Sequence, residues 1–177
     1  RDDRQLFLDH NLVSEKLTGI VHGSGINTAY FKPSTKNLTN GATRFLFIGR
    51  LLYDKGVKEF IEAAKMILAR YPKAQFHVIG ELDTGNPSTI APDELKAWRE
   101  AGIIRYHGRM DDVRPHISKC DALVLPSYRE GLPRVMLEGM SMAKPLIATD
   151  VPGCRETIED GRNGFLVKVR DSASLFN

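Results

Sequence analysis

The feature that most restricts what this chain can fold into is residues 121–150, DALVLPSYREGLPRVMLEGMSMAKPLIATD. Ala122 to Leu125 form a continuous apolar run closed by Pro126, the pattern of a strand buried on both faces of a parallel sheet. A polar loop with Glu130 and Gly131 follows. Leu132, Pro133 and Arg134 then open an apolar helix, where proline's missing N–H costs nothing. Lys144 and Pro145 end the helix, and Leu146 to Ala148 begin another strand. This is a crossover unit, and open α/β sheets bind ligands in the loops beyond the carboxyl ends of such strands.

Glu138 is the anomaly in that helix, because Val135, Met136, Leu137, Gly139, Met140, Met142 and Ala143 around it are apolar or small. A helix of this kind is mostly buried, and an ionised carboxylate there is costly unless something satisfies it. Two readings are open. Arg134, one turn earlier, can pair with Glu138 as a structural ion pair. Alternatively, Glu130 and Glu138 line a cleft and accept hydrogen bonds from sugar hydroxyls, while the N–H groups of Gly131 and Leu132 meet an anion.

Strand and helix alternate along the chain from residue 44 onward. Arg44 to Gly49 reads as the first strand, and Val57, Phe60, Ile61, Ala64, Ile67 and Leu68 follow at helical spacing up to Tyr71-Pro72. Arg50 and Lys55 project from the loop between them beside a helix amino terminus, an arrangement suited to phosphate or to plain solvent exposure. Ala74 to Gly80 is a second strand, with His77 read as a core or edge histidine. Pro92 opens a helix in which Trp98 packs, and Ile103 to His107 is a third strand. Asp111 and Asp112 read as helix capping residues, and Asp171 as the cap of a final helix. Phe165 to Val169 is a sixth strand. Towards the amino terminus, Leu6 to Leu17 has helical character, Thr18 to His22 strand character, Gly23-Ser24-Gly25 marks a turn, and residues 34–43 have a linker's composition. The expectation is one α/β domain, a Rossmann-like doubly wound parallel sheet.

Composition narrows the function. At 177 residues and 42% hydrophobic, the chain can bury a full core. A net charge of +3 suits a nucleotide and falls short of a nucleic-acid-binding surface. Cys120 and Cys154 are isolated, without metal-ligand spacing, which fits a reducing, cytoplasmic setting and neither a zinc site nor a disulfide framework. No run approaches the ~18 apolar residues of a membrane span, and RDDRQLFLDH is no signal peptide. No Gly-x-Gly-x-x-Gly follows a strand, which argues against an NAD enzyme.

Glu130-x7-Glu138, written EGLPRVMLE, is similar to the signature of retaining glycosyltransferase family 4 (glycosyl transferases group 1), which includes bacterial capsule, lipopolysaccharide and mannosyl transferases. GSGINTAYFKP (23–33), FIGRLLYDKG (47–56), YHGRM (106–110), VLPSYREGLP (124–133) and DVPGCRETIEDGRNGFLV (150–167) extend the resemblance in family order. It implies the two-domain GT-B fold, with residues 41–177 as the carboxyl-terminal donor-binding domain and residues 1–40 as the tail of an amino-terminal acceptor domain plus linker. It also implies that Arg50 and Lys55 hold the donor diphosphate with the amides of Gly131 and Leu132. By the same resemblance Glu138 holds the ribose, Glu130 the donor sugar, and Arg109 and Met110 the base.

The activity so implied is retaining sugar transfer from a nucleotide sugar, a UDP-sugar favoured over a GDP-sugar, with no required metal and no cofactor. The acceptor would be a glycan or a polyprenol-linked intermediate in surface polysaccharide synthesis. The missing amino-terminal domain would supply its site, so this chain alone would be inactive. Only the full-length enzyme would associate with the inner face of the cytoplasmic membrane. The alternatives are a GT-B nucleotide-sugar 2-epimerase and a non-catalytic nucleotide-binding or partner module.

Overall fold

In this computed structural model, residues 2–21, 23, 25–34 and 41–177 are described. Six strands form one parallel sheet: β1 (Arg44–Ile48), β2 (Gln75–Ile79), β3 (Arg105–Tyr106), β4 (Ala122–Leu125), β5 (Leu146–Thr149) and β6 (Gly164–Val167). Their spatial order is β3-β2-β1-β4-β5-β6, so the order reverses between β1 and β4. Among the described residues there are seven α-helices: α1 (Asp2–Asp9), α2 (Val57–Arg70), α3 (Pro92–Glu100), α4 (Arg114–Lys119), α5 (Arg134–Ser141), α6 (Pro152–Arg155) and α7 (Ser172–Phe176). The expected Rossmann-like α/β class is the one observed.

Burial explains the layering. All four residues of β4 are buried, and the adjacent Leu46 and Phe47 of β1 are both fully buried although they point to opposite faces. The two central strands are therefore covered on both sides. Helix α2 turns Val57, Phe60, Ile61 and Ala64 inward at helical spacing and stops before Tyr71-Pro72, where the proline ring disfavours helical backbone. In α5, Gly139 lets the helix lie close on β4, since a Cβ there would come 2.6 Å from Leu123 Cδ2.

Several boundaries differ from the sequence expectations. Pro133 is the N-cap of α5, and the helix ends at Ser141, because Ala143 adopts a left-handed φ of 55° and Lys144 N–H returns to the Gly139 carbonyl. Strand β3 pairs over two residues only, as befits an edge with one neighbour. Residues 18–21 form no strand, since no described strand flanks them, and His22 lies outside the described residues. Helix α1 ends at Asp9 with Asn11 at φ 53° and Leu12 N–H on the Phe7 carbonyl, so Leu12 and Val13 are not helical. Asp112 accepts the Arg114 N–H, but Val113 is the N-cap of α4, so Asp112 acts one position earlier than a cap. Asp171 does cap α7, accepting the Ser174 N–H at 2.8 Å. Ser24 and residues 35–40, parts of the expected turn and linker, lie outside the described residues.

The amino-terminal segment joins this body over a short stretch. Phe31 is buried, its carbonyl accepts a hydrogen bond from the Ser141 hydroxyl, and the Arg114 guanidinium lies 3.5 Å from the Tyr30 ring centroid. Upstream, Leu6, Phe7, Leu12, Leu17 and Val21 are exposed.

Gly56, before α2, has φ 72°, and a Cβ there would stand 1.9 Å from the Pro126 carbonyl oxygen. Gly56→Ala is therefore expected to lower stability by about 2 kcal/mol or more in urea unfolding, from left-handed strain plus backbone clash. An unchanged midpoint would show that this close approach is not maintained in solution.

Candidate functional site

The strand order reverses between β1 and β4, the position at which parallel sheets of this kind offer a crevice beyond the carboxyl ends of the strands, and the two loops there are fastened to each other. Tyr128 N–H donates to the Asp54 carbonyl at 2.8 Å, and the buried Ser127 hydroxyl donates to the same carbonyl at 3.2 Å. Thr149, at the end of β5, donates its hydroxyl to the Ser127 carbonyl. Gly153 of α6 lets a third loop approach, for a Cβ there would lie 2.2 Å from the Gly131 oxygen. Tyr128 also donates its hydroxyl to Glu59 at 2.6 Å and lies beneath the Arg170 guanidinium, 4.6 Å from its centroid. Burial and this Glu59 partner push its phenol up to about 12.

Across the fastened loops, Lys55 Nζ meets Glu130 Oε1 at 2.7 Å. Both side chains are largely withdrawn from water, at 22% and 12% exposure. Lys55 ends a single turn of 3-10 helix that presents it toward the second loop. The amides of Gly131 and Leu132, next along that loop, have no hydrogen-bond acceptor among the described residues. Gly23 lies beside them, since a Cβ there would come 2.5 Å from Leu132 Cδ2. Behind the pair, the Cys154 thiol is pushed up to about 12, by burial first and then by the Glu130 carboxylate, so it is no thiolate nucleophile at neutral pH.

A family model described as glycosyl transferases group 1 matches residues 42–177. The chain belongs to this family. Among its curated relatives, the N,N'-diacetylbacillosaminyl-diphospho-undecaprenol alpha-1,3-N-acetylgalactosaminyltransferase of Campylobacter jejuni is 36% identical over 130 residues, 73% of this chain and 32% of that enzyme. The capsular polysaccharide biosynthesis glycosyltransferase CapM of Staphylococcus aureus is 29% identical over 93% of this chain and 46% of that protein. The chain thus spans a third to about half of the length of these relatives. Sucrose-phosphate synthase from Thermosynechococcus elongatus shares the fold with a TM-score of 0.81 and 24% identity, covering 98% of this chain and 45% of that one. Anabaena HepE, solved with UDP and glucose, does so at 0.79 and 23% identity, covering 98% and 49%.

The other residues singled out in this family member's sequence take distinct positions. Arg50, just past β1, is more than half exposed and pairs with Asp83 of the next loop at 2.9 Å. Arg109 is exposed and reaches Glu81 at 3.4 Å, while Met110 packs against the core. No ion pair or hydrogen bond among the described residues links Arg109 to Lys55 or Glu130. Glu138 has a side chain only 13% exposed, and Arg134, at 4.0 Å and itself mostly exposed, is too far for a hydrogen bond. Burial lifts the Glu138 carboxyl above its ordinary range and outweighs the lowering by Arg134.

Asp54, Gly56, Ser127, Tyr128, Thr149 and Gly153 hold the site together, yet none was singled out as a functional residue from sequence. Ser127 and Tyr128 stand in the quoted motif three and two positions before Glu130, and Asp54, Gly56 and Gly153 lie in the other quoted motifs, which is the local signal available.

Two expectations follow. Tyr128→Phe leaves the partly buried Glu59 carboxylate, whose Oε2 already has no partner, without its phenol donor. A loss of about 1–3 kcal/mol in urea unfolding is expected, and an unaltered midpoint would contradict that bond. For Glu138, the raised folded value means that protonation favours the folded state, a gain lost as pH rises through that value. At neutral pH the ionised side chain is therefore a cost, and Glu138→Gln is expected to raise the melting temperature at pH 7. The gap between variant and wild type should close as pH falls below ~4.3, the ordinary glutamate value; a gap independent of pH would contradict a desolvated Glu138.

Proposed function

We propose that this chain is the donor-binding, carboxyl-terminal portion of a retaining, metal-independent glycosyltransferase of surface polysaccharide synthesis. The observation that carries the reading is the Lys55–Glu130 pair at the reversal of strand order, a fixed cation and a fixed carboxylate facing one crevice. Transfer from a nucleotide sugar must stabilise the charge that grows on the departing diphosphate, and positioned cations do this where water is excluded. Lys55 and Arg50 would meet that diphosphate, exchanging Glu130 and Asp83 for phosphate oxygens, and the unengaged amides of Gly131 and Leu132 would add two donors.

Released from Lys55, Glu130 accepts hydrogen bonds from the donor sugar. Glu138 accepts from the ribose hydroxyls, which offsets the cost of its burial, and Arg109 with Met110 borders the base. The UDP held by HepE supports a UDP-sugar donor over a GDP-sugar. The diphospho-undecaprenol named for the Campylobacter jejuni relative supports a polyprenol-linked or glycan acceptor. That acceptor, with its activating groups, belongs to an amino-terminal domain, for which the exposed apolar residues between Leu6 and Val21 offer a contact surface. No helix among the described residues is long and apolar enough to cross a membrane. Attachment to the inner membrane face is proposed for the full-length enzyme only.

Calorimetric titration with UDP, GDP and NAD in the presence of EDTA tests this. UDP is expected to bind most tightly, with Lys55→Ala and Glu138→Gln each weakening it by about tenfold or more. Equal affinity for NAD, or UDP affinity untouched by both substitutions, would overturn the proposal.

A further inference from the structure

Away from the crevice loops, three histidines from three elements converge on one face of the sheet. His77 is the central residue of β2, His107 follows β3, and His116 lies on α4. One ring nitrogen from each falls within 4.8 Å of the other two. His77 Nδ1 and His107 Nε2 are 2.9 Å apart with their rings nearly parallel, and the His116 ring centroid is 4.5 Å from that of His107. All three line a cavity of about 350 Å³.

The second ring nitrogen of His77 faces Gln75 Oε1 at 3.4 Å. That acceptor favours the proton on Nε2 and leaves the Nδ1 lone pair directed at the other two rings. A polar group that fixes the tautomer of a ligating imidazole is a regular feature of metal sites. Burial, followed by the neighbouring His107, lowers His77 to about 4, and burial lowers His107 and His116 as well, so all three rings are neutral at pH 7. In a tetrahedral zinc site with Zn–N of about 2.0–2.1 Å, ligand nitrogens stand roughly 3.4 Å apart by simple geometry. The present nitrogens, within 4.8 Å of one another, would reach that spacing by rotation of the rings on binding.

We propose that His77, His107 and His116 form a binding site for a divalent transition metal ion, zinc being the best match to three imidazoles. The ion takes the place of the hydrogen bond between His77 Nδ1 and His107 Nε2, with the His107 proton moving to its Nδ1, so both rings stay neutral and no proton is lost. Arg44, Arg105 and Lys119 also line the cavity and repel a bare dication. The fourth position therefore takes an anion, such as hydroxide, whose charge offsets theirs. Cys120 is in the same wall, but its thiol is turned to the Ile117 carbonyl, to which it donates, and the convergent ligand atoms are those of the three histidines. The ion ties the two-residue edge strand β3 and the short α4 to β2, so its effect is on the stability of this edge of the sheet.

The test uses the untagged chain freed of metal with a chelator. Zinc titration is expected to show about one tightly held ion per chain and a melting temperature that rises with zinc concentration. His107→Gln and His116→Gln should each weaken binding by at least about 100-fold, beyond the 10–100-fold typical of losing an outer-shell partner, and abolish the rise in melting temperature. Unfolding of each variant in EDTA shows whether it still folds, and the second variant serves if the first does not. Cobalt in place of zinc should give a tetrahedral visible spectrum without a thiolate charge-transfer band, shifted by azide at the fourth position. Zinc uptake equal in wild type and variants, a melting temperature indifferent to zinc, or a cobalt spectrum that is octahedral or insensitive to azide would overturn the proposal.

Discussion

The Asp54 carbonyl is the point on which this site turns. It accepts from the Tyr128 amide and from the buried Ser127 hydroxyl, and so joins the loop after β1 to the loop after β4. Those loops leave strands that are neighbours in the sheet but are separated in the chain by two further strands and three helices. Without the link, each loop would be an independent surface segment, free to move separately. With it, and with Gly56 pressed against Pro126, Lys55 and Glu130 come within a hydrogen bond of each other.

The charges of the site are held in pairs. Lys55 is matched by Glu130 and Arg50 by Asp83, so neither cation is left bare in a partly dry crevice. An incoming diphosphate would take over a charge that is already positioned, and the released carboxylates would be left as acceptors for hydroxyl groups. Glu138 differs, because its partner is distant and burial works against its ionised form. A carboxylate kept in such a place is a stability cost, one that the proposed ribose contact would offset. Burial also keeps Tyr128 and Cys154 neutral, while Lys55 and Glu130, themselves largely withdrawn from water, answer each other as a pair.

Much of this was legible in the chain. The runs at 44–49, 74–80, 122–125 and 146–148 match strands because each is dominated by apolar residues, and 122–125, apolar throughout, is the strand buried at every residue, which is a local property. The residues that failed as predictors depended on neighbours. Thr18 to Val21 have the composition of a strand but no described ladder partner, and the pairing of β3 begins only at Arg105, two residues later than the run from Ile103 suggests. Of the site residues, Arg50, Lys55, Glu130 and Glu138 were visible as charges in a family pattern. Ser127, Tyr128 and Gly153 were not, because a hydroxyl or a missing Cβ is informative only once the backbone opposite it is known.

The sequence by itself determined the class of the fold, the order of its elements and the family to which the chain belongs, since periodicity, turn residues and motif spacing are encoded in short stretches. Only the tertiary structure decided which distant residues meet. Lys55 and Glu130 are 75 positions apart, and His77 and His107 are 30. Their meeting depends on the reversal of strand order and on the register of β2 with β3, which result from packing the whole sheet at once.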